Sequence, residues 1–576
     1  METVFLVLTL ISVASATGIA ARFLPSLPIP LVQIAFGALL ALPAIIAPEW
    51  GLGLHVDLEP DIFILLFIAP LLFADARRFP QRELMALRGP ILALALGLVL
   101  VTVVTIGYLI HWIIPGIPLP IAMALAAVLS PTDAVAVSAI SGRLPVPPRL
   151  MRVLEGESLM NDASGLVAFK FAMLAATTGA FSFSQATLSF IVIAIGGLLL
   201  GGALAFAFSF IRTRLIDRRS GEESATQIVL LQLLLPFATF LLAEHMHLSG
   251  ILAAVASGLV INRTDLKRES QVRVRLKTRS MWEIIEYVLN SLVFLLLGFQ
   301  LPHIFTKAME TTVDDSNPFS ILLVISYVLI ITAALLGLRF LWIIMAAKSS
   351  GLVAHLRGNM VQKISLRLIG VSTIAGIRGT ITLAAALSFP IWMTKTQQLP
   401  YRDLLIFIAT GVILCTLLIA SIGMPVLLRD LEIPSDERMR QEERQARQMA
   451  AKAAIQCIEQ VRQQRMDELN RIAGDSNDPH VNDRLLAFTD VSTQLLSDYQ
   501  ERIAVEDDRA STSRHELMQD IERKLRIEAL HAERREIYRL RSRHRINDEL
   551  LHRLVSEIDL AETALMTGIP LPSSHA

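Results

Sequence analysis

The chain has 576 residues, of which 53% are hydrophobic, with a mean hydropathy of +0.55 and a formal net charge of zero. This composition is too apolar for a soluble protein of this size, and the absence of a basic patch excludes a nucleic-acid-binding protein. The two cysteines, Cys415 and Cys457, are too few for a disulfide framework or a metal cluster, and we expect no cofactor.

Charged residues divide the chain near residue 430. The first 430 positions carry 54 of them, whereas the last 146 positions carry 50. A low density of charge is typical of membrane-embedded sequence, and a high density is typical of sequence exposed to water. We therefore predict a transmembrane domain over residues 1–430 and a charged, helical cytoplasmic region over residues 431–576.

Long apolar runs before residue 430 predict about thirteen transmembrane helices, since a spanning helix needs roughly 20 mostly apolar residues. The runs are too long for the strands of a β-barrel and do not alternate as such strands do, so the predicted fold class is all-α and polytopic. The runs cover residues 3–24, 29–47, 61–76, 90–114, 119–141, 151–177, 185–211, 225–244, 249–262, 281–301, 318–345, 367–391 and 404–428.

Basic residues alternate between the predicted loops and orient the helices. The loops on one side hold 22 Lys and Arg residues, whereas the loops on the other side hold only Lys307, Lys395 and Arg402. Cytoplasmic loops carry the excess of positive charge. The sequence therefore predicts an N-terminus outside a cell membrane and a C-terminal tail in the cytoplasm.

The fifth and twelfth predicted helices contain segments that interrupt a regular helix. In the fifth, residues 130–133 read Ser-Pro-Thr-Asp, and proline removes a helical hydrogen bond. In the twelfth, residues 376–380 read Gly-Ile-Arg-Gly-Thr, with glycines on both sides of Arg378. The two segments occupy matching positions if helices 1–6 and 8–13 form inverted repeats, which predicts crossing discontinuous helices around a transport site.

The sixth predicted helix carries a polar face inside the membrane. Glu157, Ser158, Asn161 and Asp162 fall at positions i, i+1, i+4 and i+5. Ionisable groups at this depth cost about 2.5–3.5 kcal/mol each, so they point to function or to structural pairing. Carboxylate, hydroxyl and amide oxygens suit a hard monovalent cation, and competition between that cation and a proton for Asp162 is sufficient for exchange.

These motifs resemble the sodium/proton exchanger family, in particular its electroneutral branch with an Asn-Asp pair. The resemblance covers residues 1–430 and rests on three segments: Ser-Pro-Thr-Asp at 130–133, Gly-Glu-Ser-Leu-Met-Asn-Asp at 156–162 and Gly-Ile-Arg-Gly at 376–379. It implies a homodimer of thirteen-helix protomers, in which a core part moves against a dimerisation part to give alternating access.

The resemblance also implies roles for individual residues. Asp162 carries the cation or proton, with Asn161, Ser158, Asp133 and Thr132 around it; Glu157 and Arg378 form a structural ion pair; and Asp75 is a candidate gate. Asn161 in place of a second aspartate implies exchange of one cation for one proton. Lys170 lies two turns beyond Asp162 and is a candidate for compensating its charge.

Other functions remain open at this point. Within the family, potassium can replace sodium as the transported ion, and lithium is a further substrate. Outside it, an intramembrane protease needs a catalytic pair, and His111 has no accompanying nucleophile motif. A cation channel needs a filter, and the sequence shows none. The preferred prediction is a Na⁺/H⁺ antiporter in a lipid membrane, and we expect no enzymatic activity. The helical tail is predicted without an assigned function.

Overall fold

The computed structural model describes most of the chain, and all of the regular secondary structure in that part is helical. The chain divides into two compact units, Met1–Ile433 and Pro434–Ala576. The described residues are 2–23, 27–46, 60–141, 146–178, 183–212, 222–266, 272–313, 321–356, 365–389, 401–429, 437–475, 486, 488–497, 499–500, 512–543, 545 and 548–566.

The helices of the first unit are mostly long and apolar. In chain order they are α1 (Glu2–Phe23), α2 (Ile29–Ile46), α3 (Pro60–Phe63, Ile64–Ile68 and Ala69–Arg78), α4 (Gln81–Ala86), α5 (Arg88–Ile113), α6 (Leu119–Val128), α7 (Ala134–Ser141), α8 (Pro148–Thr178), α9 (Phe183–Ile211), α10 (Glu222–His245), α11 (Gly250–Leu266), α12 (Val272–Val313), α13 (Ile321–Leu356), α14 (Leu366–Ile374), α15 (Thr380–Leu387) and α16 (Arg402–Leu428). Seven of them are long and apolar enough to cross a membrane: α5, α8, α9, α10, α12, α13 and α16.

The described helices account for the predicted membrane segments. When α6 with α7, and α14 with α15, are each counted as one interrupted crossing, every predicted segment has its helix. The short helix α4 is an addition. The tenth segment is longer than its apolar run 281–301, because the basic residues before it continue the helix back to Val272. The predicted all-α polytopic class is confirmed.

Packing in this unit follows the rules of lipid-embedded helices. On α9, Leu199 and Phe206 are 69% and 65% exposed, whereas Ala205 is fully buried, so the large apolar side chains face outward. Helix pairs approach where small residues permit it. The backbones of α2 and α12 touch at Gly298, where a Cβ would lie 2.0 Å from the Ile34 carbonyl oxygen.

Two helices next to the centre of the unit contain π-helical turns, Ile64–Ile68 in α3 and Ala93–Leu98 in α5. Such turns shift the hydrogen-bond pattern and occur often at functional sites. In α5 the Ala95 carbonyl accepts a hydrogen bond from the buried Ser164 hydroxyl of α8 at 2.6 Å. The turn in α5 therefore ties this helix to the one that carries the polar face.

The second unit contains α17 (Glu437–Asp475), α18 (Thr512–Ser542) and α19 (Asp548–Met566). Arg534 of α18 contacts Asp559 at 2.6 Å and also Glu562, both on α19. The hydrogen bond from Arg534 holds the pKa of the Glu562 carboxyl below its usual range, and a second one from His531 acts in the same direction. α18 and α19 therefore form a charged hairpin of helices.

Candidate functional site

The first helix break separates α6 from α7 and contains residues 130–133. Pro131 has no amide hydrogen, and its ring prevents α6 from continuing as a regular helix. The side chain of Asp133 then begins α7, because its Oδ1 accepts hydrogen bonds from Val135 N at 2.8 Å and Ala136 N at 3.1 Å. The predicted interruption of the fifth segment is confirmed.

The second break separates α14 from α15 and crosses the first. The amide of Asp133 donates to the Ile377 carbonyl at 2.8 Å, and Arg378 Nε donates to the Leu129 carbonyl at 2.9 Å. Arg378 Nη1 also donates to the Gly376 carbonyl. Each break thus satisfies backbone groups that the other leaves without helical partners, as non-helical backbone at membrane depth requires. The predicted crossing is confirmed.

The charges at the crossing match the helix ends that meet there. Asp133 caps the N-terminus of α7 and also lies against that of α15, where a Cβ on Gly379 would be 1.8 Å from its Oδ2. Arg378 binds the C-terminal carbonyls of α6 and α14. Helix N-termini carry partial positive charge and C-termini partial negative charge. The negative Asp133 therefore stabilises two positive helix N-termini, and the positive Arg378 stabilises two negative helix C-termini.

Glu157 of α8 forms a buried ion pair with Arg339 of α13. Arg339 Nη2 donates to Glu157 Oε2 at 2.8 Å, Nη1 contacts Oε1, and the two side chains are 1–2% exposed. Arg339 Nε also donates to the Ser372 carbonyl of α14 at 3.0 Å. The prediction that Glu157 pairs with Arg378 is therefore wrong. The guanidinium of Arg378 binds carbonyl groups of the two breaks instead.

Asn161 belongs to a buried hydrogen-bond network around this ion pair. Its Nδ2 donates to Thr132 Oγ1 at 2.8 Å, and Thr132 Oγ1 donates to Glu157 Oε1 at 3.3 Å. Asn161 is 1% exposed and is not among the residues that line the neighbouring cavity. The network joins the first break to α8 and fixes the orientation of the Asn161 amide.

A cavity lies between the crossing breaks, α3, α8 and α12. Five of the predicted site residues line it, and they contribute three carboxylates and two hydroxyls: Asp75, Thr132, Asp133, Ser158 and Asp162. The Ser158 Oγ accepts a hydrogen bond from the amide of Ala134 at 3.2 Å, which positions this hydroxyl beside the first break. Oxygen ligands of this kind are those that hard cations bind. The cavity can therefore hold a small cation.

Asp162 differs from Glu157, the other buried carboxylate of α8, because it has no ion-pair partner among the described residues. It is 4% exposed, and within the described part of the chain it makes no ion pair and no hydrogen bond. Lys170 contacts Glu244 at 3.4 Å, and its side chain is 66% exposed, so it does not compensate Asp162. A buried, unpaired carboxylate is costly unless it binds a proton or a cation.

Sequence reasoning missed two residues that line the cavity, and it did not identify the partner of Glu157. Asn290 of α12 and Thr382 of α15 line the cavity, and Arg339 holds Glu157. Asn290 and Thr382 are neutral side chains in long apolar runs, and only the contacts between distant helices reveal them. Arg339 was visible as a charge at membrane depth, but its partner was not.

His111, the histidine that the protease alternative would need, makes a hydrogen-bond contact of 2.7 Å with the Ile117 carbonyl near the end of α5.

Comparison with known proteins gives three kinds of match. Residues 7–430 match the family described as sodium/hydrogen exchanger, transmembrane. The chain is 42% identical over 568 residues to the uncharacterized Na⁺/H⁺ exchanger YjcE of Escherichia coli (strain K12), covering 98% of this chain and 99% of that one. It is 46% identical over 428 residues to the sodium, potassium, lithium and rubidium/H⁺ antiporter of Bacillus pumilus, covering 74% of this chain and 61% of that protein.

A solved structure shares the fold. The sodium proton antiporter MjNhaP1 from Methanocaldococcus jannaschii, determined at pH 8, superimposes with a TM-score of 0.54 over 75% of this chain and 99% of that chain. The two sequences are 19% identical, so this likeness concerns the fold alone. The chain spans less than two thirds of the length of the Bacillus pumilus relative.

Proposed function

Because the chain belongs to the sodium/hydrogen exchanger family, we propose that it exchanges a monovalent cation for a proton, with Asp162 binding the two in competition. The observation that carries this proposal is the contrast around Asp162. Its carboxylate lines the cavity and has no ion pair in the part of the chain that the structure describes, whereas the nearby Glu157 is held by Arg339. A carboxylate that no cation of the protein neutralises is free to bind the transported ion or a proton.

Exchange follows from this competition through alternating access. A carboxylate that is empty and negatively charged crosses an apolar barrier at high cost, whereas one that carries Na⁺ or H⁺ is neutral and crosses more easily. Asp133 and Ser158 supply further oxygens beside Asp162. Thr132 and Asn161 hold the first break in place. One carboxylate that carries one cation or one proton gives an electroneutral exchange.

The transported ion is sodium by preference, with lithium as a further substrate. Potassium is a second candidate, and the name of one relative supports its inclusion. The relative from Bacillus pumilus, 46% identical over 428 residues, is named for sodium, potassium, lithium and rubidium. A cavity built from carboxylates and hydroxyls does not by itself exclude the larger ion.

The membrane location and the orientation proposed for the exchanger follow from the charge pattern and from the family. The chain is a multi-pass protein of a cell membrane, with the N-terminus outside and the tail in the cytoplasm, because the basic loops are cytoplasmic. It acts as a homodimer surrounded by lipid. Asp75 lines the cavity from α3 and acts as a gate.

The test is transport by purified protein in proteoliposomes that carry an internal pH dye. Asp162→Asn keeps the shape of the side chain but removes its charge, so we expect the sodium-driven change of internal pH to disappear. Asp403→Asn is the matched control, since Asp403 lies 3.8 Å from Arg402 with 41% of its side chain exposed, away from the cavity. Normal exchange by Asp162→Asn would overturn the proposed function.

A series of sodium, lithium, potassium and rubidium gradients on the wild-type protein identifies the ion. We expect sodium and lithium to drive proton movement at lower concentrations than potassium. Sensitivity of the rate to an imposed membrane potential measures the stoichiometry, and an electroneutral exchange shows none.

A further inference from the structure

We propose that the hydroxyl of Thr382 is a ligand of the transported cation and sets the preference for sodium over potassium. This inference rests on the proposed function, since it concerns the same cavity. Thr382 lines that cavity together with Asp162, Asp133 and Ser158. The residue is 1% exposed, and its Oγ1 is buried without a hydrogen-bond partner in the described part of the chain.

The helix break explains why this hydroxyl is free. Threonines inside helices can bond back to the preceding turn, as Thr332 does to the Val328 carbonyl at 2.7 Å and Thr373 does to the Ile369 carbonyl at 2.8 Å. Thr382 lies in the first turn of α15, which begins at Thr380, so no helical turn precedes it. A buried hydroxyl without a partner is uncommon in folded proteins, and on a residue that also lines the cavity it points to a ligand as the missing partner.

The position of α15 fixes this hydroxyl relative to the carboxylates. Its N-terminus lies against Asp133, since Gly379 leaves no room for a Cβ there. The second break is bonded to the first through Asp133 N and the Ile377 carbonyl. Thr382 therefore belongs to the same pair of crossing helix breaks as the proposed ion site. Its position beside that site is fixed, and its oxygen can coordinate a cation there.

A neutral oxygen at this position favours the smaller ion. The attraction between a cation and an oxygen ligand rises as their distance falls, and Na⁺ approaches its ligands more closely than K⁺ does. Selectivity between such ions depends on the number of ligands and on cavity size. Removal of one hydroxyl therefore weakens sodium binding more than potassium binding.

The experiment measures half-saturating sodium and potassium concentrations in proteoliposomes for three variants. Thr382→Val keeps the shape and removes the hydroxyl, Thr382→Ser keeps the hydroxyl, and Thr410→Val is the matched control. Thr410 on α16 is 2% exposed, and its Oγ1 also lacks a partner in the described residues, but it does not line the cavity.

We expect Thr382→Val to raise the half-saturating sodium concentration roughly tenfold, the effect of one lost charge-assisted contact, and the potassium value less. Thr382→Ser and Thr410→Val keep the wild-type ratio within about twofold. An unchanged ratio in Thr382→Val, or an equal shift in Thr410→Val, overturns the inference. Asp162→Asn separates the two ideas, because activity in that variant contradicts the proposed function itself, whereas an unchanged ratio in Thr382→Val contradicts only the ligand role.

Discussion

Glu157 and Asp162 lie on the same helix, five residues apart, and are exposed by only 1% and 4%. Glu157 is bound by both terminal nitrogens of Arg339 and by the Thr132 hydroxyl. Asp162 faces a cavity with two further carboxylates and without an ion pair in the described residues. Both residues are thus buried carboxylates on one helix, and what distinguishes them is the set of neighbours that each one contacts.

The contrast also explains why both charges persist at membrane depth. A buried ion pair gives orientation more than net stability, because desolvation offsets most of the attraction. The pair of Glu157 and Arg339 joins α8 to α13, and Arg339 continues to α14. The helices around Asp162 are therefore held together by the Glu157–Arg339 pair, while Asp162 itself has no ion pair among the described residues.

The largest expected effect on stability comes from Glu157→Gln. It leaves the Arg339 charge buried without its partner, so we expect a loss of about 3–5 kcal/mol in the free energy of unfolding. The double variant Glu157→Gln with Arg339→Met should recover most of this loss, because no buried charge remains. Thermal unfolding of purified protein in detergent measures both.

Asp162→Asn is the control in the same assay. Since Asp162 has no ion-pair partner among the residues that the structure describes, its neutralisation should leave the unfolding temperature at or above the wild-type value while transport is lost. Equal destabilisation by Glu157→Gln and Asp162→Asn would remove the distinction between the two carboxylates.

A smaller effect is expected from Gly379→Ala, which tests the contact between α15 and Asp133. The new methyl group would lie 1.8 Å from Asp133 Oδ2, so the helix end or the carboxylate must shift. Overpacking of this kind costs about 1–3 kcal/mol, and the displaced crossing should slow cation-driven proton movement by roughly tenfold. Gly337→Ala is the matched control, because a Cβ at Gly337 meets no atom within 4 Å. Wild-type rates for Gly379→Ala would show that the crossing tolerates displacement.

The smallest effect is expected from Lys170→Ala. The contact of Lys170 with Glu244 is exposed, so its loss should cost less than about 1 kcal/mol. Since Lys170 does not neutralise Asp162, exchange should stay electroneutral, which a rate that is independent of an imposed membrane potential would show. A new dependence on potential in this variant would mean that Lys170 takes part in charge compensation.

Much of the site was predictable because its signals are local. Pro131 and the glycines beside Arg378 mark the breaks, and the polar residues between Glu157 and Asp162 mark the functional part of α8 as a candidate. The pairing of Glu157 was not predictable, since Arg339 and Arg378 are both arginines in apolar runs and sequence does not order distant helices in space. The π-helical turns of α3 and α5 also have no local signal.

The sequence by itself determined the class of the protein: apolar runs long enough to span a bilayer, a charged region after residue 430, two helices interrupted at matching positions and acidic side chains in between. These follow from chain composition and from the cost of placing polar groups in lipid. Only the tertiary structure decided which carboxylate forms an ion pair with Arg339 and which side chains share a cavity. Those outcomes depend on contacts between residues that are far apart in the chain, and the identity of a residue does not specify its neighbours.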